Sequence, residues 1–281
     1  MPTFARPVAT RPGPVRRLVL LVAVAAAMSA CSSSSSGNSA TTVPPANQTL
    51  RVLVTNDDGF SAPGIDAAVQ ALRTLPHTQV TVVAPFSNQS GTGGKTTGGT
   101  LTVTAGKTSS GYPAKAVHGY PADTIVWAID DHGISFRPEL VVSGINFGQN
   151  FGPLASGSGT VGAAQAALAR GIPALAVSQG IDNGATPNFN QGAHQLLMWV
   201  KANRTILLSH PSKKSLPSGN MNVPTCANGN IRGPVHVPLA TSLAGVSLAT
   251  VDCSSTKTDP PNDAVAFSEG FAAIAPLSGG S

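Results

Sequence analysis

The chain has 281 residues, which suits one domain with extensions or two small domains, and 10% of these residues are charged. Its formal net charge is +5, but four of the 17 Lys and Arg residues precede residue 30, where no acidic residue occurs. The remaining 13 basic residues face 12 acidic ones. This near balance argues against a basic nucleic-acid footprint, so we expect no nucleic-acid partner.

The first 31 residues are typical of a secretory signal. Two arginines precede the apolar run 18–30, which ends in small residues and is too short to span a bilayer comfortably. The order Met28-Ser29-Ala30-Cys31 resembles a bacterial lipobox, in which the cysteine is acylated. An ordinary cleaved signal with an incidental cysteine is the alternative. We therefore expect residues 1–31 to be a signal peptide, and Cys31 to anchor an exported protein to the outer side of the cell membrane.

Residues 32–49 are rich in Ser and Pro and are predicted to form a tether, because they cannot bury a core. In the remaining domain, 50–281, apolar β-branched strands alternate with helices. The predicted strands are 50–55, 79–85, 101–104, 139–146, 172–178, 221–224 and 271–277; the helices are 63–75, 121–131, 158–171 and 191–208; a hairpin is predicted at 236–253. This order predicts a mostly parallel sheet with helices on both faces and a small C-terminal β extension.

Polar residues follow three of these strands. Asp57 and Asp58 follow the first strand, residues 87–91 follow the second, and Asn146 follows the strand at 139–146. The carboxyl ends of parallel strands form the usual ligand site of an open α/β sheet. Adjacent carboxylates are costly without a cation, and oxygen donors suit Mg²⁺, Mn²⁺ or Ca²⁺. The alternative is a turn in which the aspartates only cap a helix.

The helix at 158–171 begins with Ser158, Gly159 and Thr160. Free N–H groups at a helix N-terminus attract anions, and glycine allows close approach of a ligand to the backbone. Ser and Thr are also ordinary capping residues, so this signal is weak when taken alone.

Two cysteines remain in the domain, Cys226 and Cys253. In an exported protein they are predicted to form a disulfide, and two buried free thiols are the alternative. His118 is a candidate general base, but a strand-end histidine with a structural hydrogen bond is the favoured interpretation.

Five motifs, taken in order, resemble the SurE (survival protein E) nucleotidase family. They are NDDGFSAPGI (56–65), APFSNQSG (84–91), GYPADT (119–124), VVSGINFGQNFG (141–152) and SGTVGAA to GIPALAVS (158–178). NMNVP and AVAFSEGFAAIAPL resemble the later strands of that family. The resemblance covers roughly residues 50–278 and implies a SurE-like, Rossmann-like three-layer α/β sandwich.

The resemblance also implies an activity and a site. The activity is that of a phosphomonoesterase, a 5′/3′-nucleotidase that is similar to acid phosphatases and uses Mg²⁺ or Mn²⁺ to hydrolyse nucleoside monophosphates. The implied metal ligands are Asp57, Asp58, Ser90 and Asn146, with Asp57 and Asn146 as catalytic residues. The implied substrate contacts are Asn56, Gly91, Ser143, Gly144, Asn150, Ser158, Gly159 and Thr160. A non-catalytic, metal- and nucleotide-binding surface lipoprotein of the same fold is the alternative.

Two departures from the family pattern bear on substrate and assembly. Gly157 stands where the family often has Tyr, which leaves the base preference open. The segment 225–263 is short, although the family builds exchanged arms between subunits there. The short segment predicts that the family's usual dimer or tetramer is altered or lost here. A homodimer is the assembly that we consider for this chain.

Overall fold

The computed structural model describes residues 47–181 and 187–277. The predicted signal peptide, the lipobox and most of the tether therefore lie outside the described residues. Among the residues that are described, no helix is both long enough and apolar enough to cross a bilayer.

A single sheet of nine strands organises the described part of the chain. Its strand order is β3-β4-β2-β1-β5-β6-β7-β9-β8. The strands are β1 (Leu50–Thr55), β2 (Thr78–Pro85), β3 (Val103–Lys107), β4 (Pro113–Val117), β5 (Leu140–Phe147), β6 (Ala174–Gln179), β7 (Ser218–Val223), β8 (Pro234–His236) and β9 (Ala272–Ala275). The six strands from β4 to β7 in this order pair in parallel, whereas β3 is antiparallel to β4 and β9 is antiparallel to β7. The predicted mostly parallel sheet is confirmed.

Helices cover both faces of the sheet. They are α1 (Pro63–Arg73), α2 (Pro121–Ile125, continued by a π-helical turn at Val126–Asp130), α3 (Gly159–Ala169), α4 (Phe189–Leu208) and α5 (Asp263–Ser268). Strand β1 shows why both faces need cover: its side chains point alternately to one face of the sheet and the other. Val52 and Val54 join the core under α1 and α4, whereas Leu53 joins the core under α2 and α3. The three-layer α/β sandwich is therefore confirmed.

The C-terminal region differs from the predicted hairpin at 236–253. The only strand there is β8, and the chain then runs through turns before reaching α5, which was not predicted. This region has its own small core, in which the rings of Phe151 and Phe267 lie 4.9 Å apart. A disulfide joins Cys226 to Cys253, whose Cα atoms are 5.8 Å apart. Order here comes from distant partners rather than from alternating local pairing.

The described residues, 47–181 and 187–277, all belong to one compact unit. All three apolar clusters and the whole sheet lie inside it. The domain therefore has the core that independent folding requires.

Candidate active site

A tight turn after β1 places the two adjacent aspartates. The side-chain amide of Asn56 donates to the carbonyl of Gly59 at 2.9 Å, and the Gly59 N–H donates back to Asn56 Oδ1 at 3.3 Å. Gly59 has a φ of +105°, which favours glycine. Asn56 was predicted to contact substrate, but its side chain is fully buried and bonded within this turn. Its role in the structure is to shape the segment that carries Asp57.

Asp57 is fixed by the first turn of α3. Its Oδ1 accepts a hydrogen bond from Thr160 Oγ1 at 2.6 Å, and its Oδ2 accepts one from the Thr160 N–H at 3.1 Å. Gly159 permits this approach, since an added Cβ would lie 2.8 Å from Asp57 Cβ. Burial raises the pKa of Asp57, although the Thr160 bonds oppose the shift. Thr160 and Gly159, which were predicted as substrate contacts, therefore hold Asp57 in this structure.

Asp58 lies beside Asp57 and is held by two other segments. Its Oδ2 accepts a hydrogen bond from the Phe147 N–H at 3.0 Å, and its Oδ1 accepts one from Asn88 Nδ2 at 3.4 Å. Burial raises the pKa of Asp58 from 3.8 to about 6, with a further contribution from the Asp57 charge, while the Phe147 bond opposes the rise. The site thus holds two carboxylates, and neither forms an ion pair with a Lys or Arg in the described part of the chain.

A bulge in β5 presents Asn146. The pairing of β5 with β6 shifts between Ser143 and Asn146. Gly144, at the bulge, has a φ of +137°, and an added Cβ would lie 2.2 Å from the Val177 carbonyl oxygen. Beyond the bulge, Asn146 Nδ2 donates to the Gly148 carbonyl at 2.7 Å, which leaves its side-chain oxygen available as a ligand.

Ser143 and Gly144 were predicted to contact phosphate, and the structure places both inside the sheet instead. Ser143 is fully buried in β5, which continues for four more residues to Phe147. Its hydroxyl has no hydrogen-bond partner among the residues described. The strand itself was predicted at 139–146, close to its observed bounds, and the bulge within it was not predicted.

A cavity of about 340 Å³ lies at the carboxyl ends of β1 and β5. It is lined by Asp57, Ser90, Gly91, Asn146, Phe147, Gly148, Gln149, Asn150, Leu154, Gly157 and Ser158. Three of the four predicted metal ligands therefore line the cavity. The fourth, Asp58, accepts a hydrogen bond from the backbone of Phe147, which is part of the cavity wall. Of the predicted substrate contacts, Gly91, Asn150 and Ser158 line the cavity.

Two asparagines on β7 were missed by sequence reasoning. Asn222 Oδ1 accepts from the Asn150 N–H at 2.6 Å, and Asn220 Nδ2 donates to the Asn150 carbonyl at 2.7 Å. Asn150 Nδ2 in turn donates to Ser178 Oγ at 3.0 Å. The spacing of the two asparagines in NMN, which places both amides on one face of a strand, was the available signal.

His118 lies apart from this cavity. Its ring stacks on Phe86, with ring centroids 4.2 Å apart, and it lines a separate cavity of about 480 Å³ with Tyr120. The structure thus shows His118 in an aromatic stack and does not place it beside Asp57.

The donor set at the cavity suits a hard cation. It consists of two carboxylates, a hydroxyl and a side-chain amide oxygen, and Mg²⁺, Mn²⁺ and Ca²⁺ prefer such oxygen ligands. The described residues contain no group of three or more His, Cys, Asp and Glu that could hold a metal ion. The Ser and Asn oxygens would therefore have to complete the set.

Thr160→Val should weaken divalent-cation binding by about 10- to 100-fold, the usual effect of losing a residue that orients a ligand. The substitution keeps the shape of the side chain but removes the hydroxyl that donates to Asp57. Calorimetric titration with Mn²⁺ would measure the loss. Thr160→Ser, which keeps the hydroxyl, is the matched control and should bind like the unchanged protein. Equal affinities for the Val and Ser variants would contradict this role.

The EDTA-treated protein should lose stability as pH rises through Asp58's titration. The folded state holds the Asp58 proton more tightly than the unfolded chain does. Protonated Asp58 therefore gives its full stabilisation below pH 3.8, and this stabilisation is lost as the pH rises through about 6. Because Asp58 is partly exposed, we expect an effect on the order of 1 kcal/mol. Urea unfolding from pH 4 to 7, compared with Asp58→Asn, isolates this group. Parallel pH curves for the two proteins would refute the expectation.

Comparisons with known proteins agree with this architecture. The family model described as "Survival protein SurE" matches residues 52–244. A 5′-nucleotidase SurE from Methanopyrus kandleri is 43% identical over 133 residues, which cover 46% of this chain and 49% of that protein. One from Pelobacter propionicus is 39% identical over 189 residues, covering 66% of this chain and 70% of the relative. One from Rubrobacter xylanophilus is 35% identical over 188 residues, covering 66% and 69%.

A solved structure shows the same fold. The crystal structure of the SurE protein from Aquifex aeolicus aligns with a TM-score of 0.60 and 25% sequence identity. The alignment covers 81% of this chain and 92% of that one. Together with the family match over residues 52–244, this likeness shows that the chain belongs to the SurE family.

Proposed function

We propose that the protein is a divalent-metal-dependent phosphomonoesterase that hydrolyses nucleoside 5′- and 3′-monophosphates. The observation that supports this most directly is the cavity that Asp57, Ser90 and Asn146 share, with Asp58 held at its wall. The relatives named 5′-nucleotidase SurE support the nucleotidase reaction. The metal and the 3′ substrates rest on the oxygen donors and on the family resemblance.

The proposed ligands of the cation are Asp57, Asp58, Ser90 and Asn146. A bound Mg²⁺ or Mn²⁺ would neutralise phosphoryl oxygens and lower the pKa of a water ligand. The two buried carboxylates match a divalent charge, and burial raises the pKa of both because it destabilises their ionised forms.

The chain's own groups then position the reactants. Thr160 holds both carboxylate oxygens of Asp57, so we propose that Asp57 orients the attacking water. We assign Asn146 to hold the phosphoryl group in place. Gly91 and Ser158 line the same cavity and are the proposed phosphate contacts. Fixed positioning is what phosphoryl transfer mainly requires of a protein.

The nucleoside end of the substrate has room beside Gly157. Gly157 lines the cavity, and a Cβ added to it would meet no atom within 4 Å. This wall therefore lacks the large side chain that the family often has there. We propose a broad base preference, since an open wall provides little to discriminate one base from another.

Phosphate release from a panel of nucleoside 5′- and 3′-monophosphates tests the proposal. The domain from residue 47 would be assayed with Mn²⁺ or Mg²⁺ and with EDTA, beside Asp57→Asn. Release that needs the metal and is lost in the variant supports the enzyme. If metal and nucleotide raise the melting temperature but no phosphate is released, the non-catalytic binding lipoprotein replaces it.

We further propose that the protein is exported and held to the membrane by a lipid on Cys31. The support is the sequence of residues 1–31 alone. Expression in a bacterial host with a radiolabelled fatty acid should label the full chain and not Cys31→Ser.

Light scattering on the domain would test whether it forms a homodimer, the assembly that we consider on the basis of the family resemblance.

A further inference from the structure

The edge of the sheet at which the parallel strands begin lies opposite the candidate site. We call it the strand-start face. The helices run back to this edge, so helix ends and strand starts meet there. Its basic residues are Arg51, Arg73, Arg137, Arg170, Arg204, Lys213 and Lys214, together with His77 and His210, and its acidic residues in the described chain are Asp130, Asp131 and Glu139. We propose that this face docks on anionic phospholipid membranes.

Two of the three carboxylates on the face already form ion pairs with arginines of the same face. Arg51 pairs with Glu139 and Arg170 pairs with Asp130. The third ion pair among the described residues, Lys257 with Glu269, lies elsewhere. The charges of Arg73, Arg137, Arg204, Lys213 and Lys214 are therefore left without a carboxylate partner in the described chain.

Two of these arginines are held in place by carbonyl groups, which leave their charge intact. Arg204 donates to the carbonyls of Gln48 at 2.9 Å and His77 at 2.8 Å. Arg137 donates to the carbonyl of Arg170. The face thus has fixed positive groups as well as the exposed ammonium groups of Lys213 and Lys214.

A groove of about 430 Å³ lies within the face. Its lining includes Arg51, Arg137, His210 and Lys213, and its one carboxylate, Glu139, is paired with Arg51. A lipid phosphate has the charge and hydrogen-bond acceptors that this lining would recognise. Ile206, near the end of α4, is 41% exposed and supplies an apolar contact beside the basic groups.

The path of the chain favours a membrane as the partner. The bond from Arg204 to the Gln48 carbonyl fixes the point at which the chain enters β1, and that point lies on this face. The segment of about 17 residues from Cys31 to Asn47 can span at most about 60 Å. The eight residues of β5 separate the two edges by about 26 Å. A chain held at Cys31 can therefore reach the bilayer with its strand-start face, which lies nearer to the start of β1 than the cavity does.

Sedimentation with lipid vesicles tests the docking surface without the anchor. The domain from residue 47 should bind vesicles with roughly 30% phosphatidylglycerol and release them at about 0.5 M salt. Lys213→Glu with Lys214→Glu should lower the partition coefficient by about ten-fold or more, since each basic residue near an anionic surface contributes to binding. Lys95→Glu with Lys115→Glu, the same charge change at two exposed lysines away from this face, is the matched control and should bind normally.

Three results would overturn the proposal. They are equal binding to pure phosphatidylcholine vesicles, an equal loss in both double variants, and tighter binding to duplex DNA than to the anionic vesicles, which would assign the face to nucleic acid. The test does not depend on the proposed reaction. The Lys213 and Lys214 substitutions lie at the far edge from the cavity, so phosphate release by that variant should stay unchanged whatever the vesicles show.

Discussion

Asp58→Ala should lower metal-dependent phosphate release by about 1,000-fold or more while the domain stays folded. The substitution removes one of the two carboxylates available to the cation, and a metal that neutralises phosphoryl charge contributes several kcal/mol to the transition state. The fold should tolerate the change, because the Asp58 carboxylate is desolvated and repelled by Asp57 in the metal-free protein. Initial rates at saturating Mn²⁺, beside melting curves in EDTA, would measure both effects.

Asp131→Ala is a suitable control for this experiment. Asp131 is exposed at the end of the π-helical turn after α2, on the opposite edge of the sheet. It should keep the unchanged rate and the unchanged metal requirement. If Asp58→Ala retained substantial metal-dependent release, the assignment of the two aspartates as the cation site would be wrong. If both variants lost activity together, the loss would reflect general damage rather than a missing ligand.

Local sequence patterns were enough to predict the sheet and the position of the aspartates. The strand Leu50–Thr55 is apolar and β-branched, and the alternation with helices predicts parallel pairing. Asp57 and Asp58 follow that strand directly, so their place at its carboxyl end needs no knowledge of distant contacts. The same reasoning applies to Asn146 and to the loop that carries Ser90.

The sequence does not show which polar groups bond to each other. Thr160 looked like a phosphate donor at a helix start, but its partner is Asp57, which is 103 residues away. Ser143 was predicted to contact phosphate, but it lies buried in β5 beside a bulge at Gly144 that depends on the close approach of Val177 from β6. Both cases arise because a polar group at a helix N-terminus or near the end of a strand can serve either a ligand or the protein itself.

The C-terminal region shows a second limit. The run from His236 to Cys253 was predicted as a hairpin, yet only Pro234–His236 forms a strand there. The segment packs instead through Val237 and Ala240 against Phe151 and Phe267. Contacts with residues so far along the chain leave no period in the local sequence, so pattern reasoning could not find them.

Gly64→Ala should lower the free energy of unfolding by about 3 kcal/mol, at the upper end of the usual cost of overpacking. Gly64 lies in the first turn of α1, and an added Cβ would lie 1.8 Å from the Ile145 carbonyl oxygen and 2.9 Å from Phe189 Cε1. Backbone atoms cannot rotate away as a flexible side chain can, so α1 must move away from β5. Urea unfolding followed by circular dichroism would measure the loss.

The same movement should reach the candidate site, which makes this variant informative about more than packing. Ile145 directly precedes Asn146, so a displaced β5 bulge shifts a proposed metal ligand, and Mn²⁺ should bind less tightly to the fraction that remains folded. Gly94→Ala is the control, because a Cβ there would meet no atom within 4 Å, and its stability and Mn²⁺ affinity should match those of the unchanged protein. Should Gly64→Ala unfold at the same urea concentration as Gly94→Ala, the close packing of α1 on the bulge would be refuted. A loss of stability with unchanged Mn²⁺ affinity would instead show that the bulge holds Asn146 independently of α1.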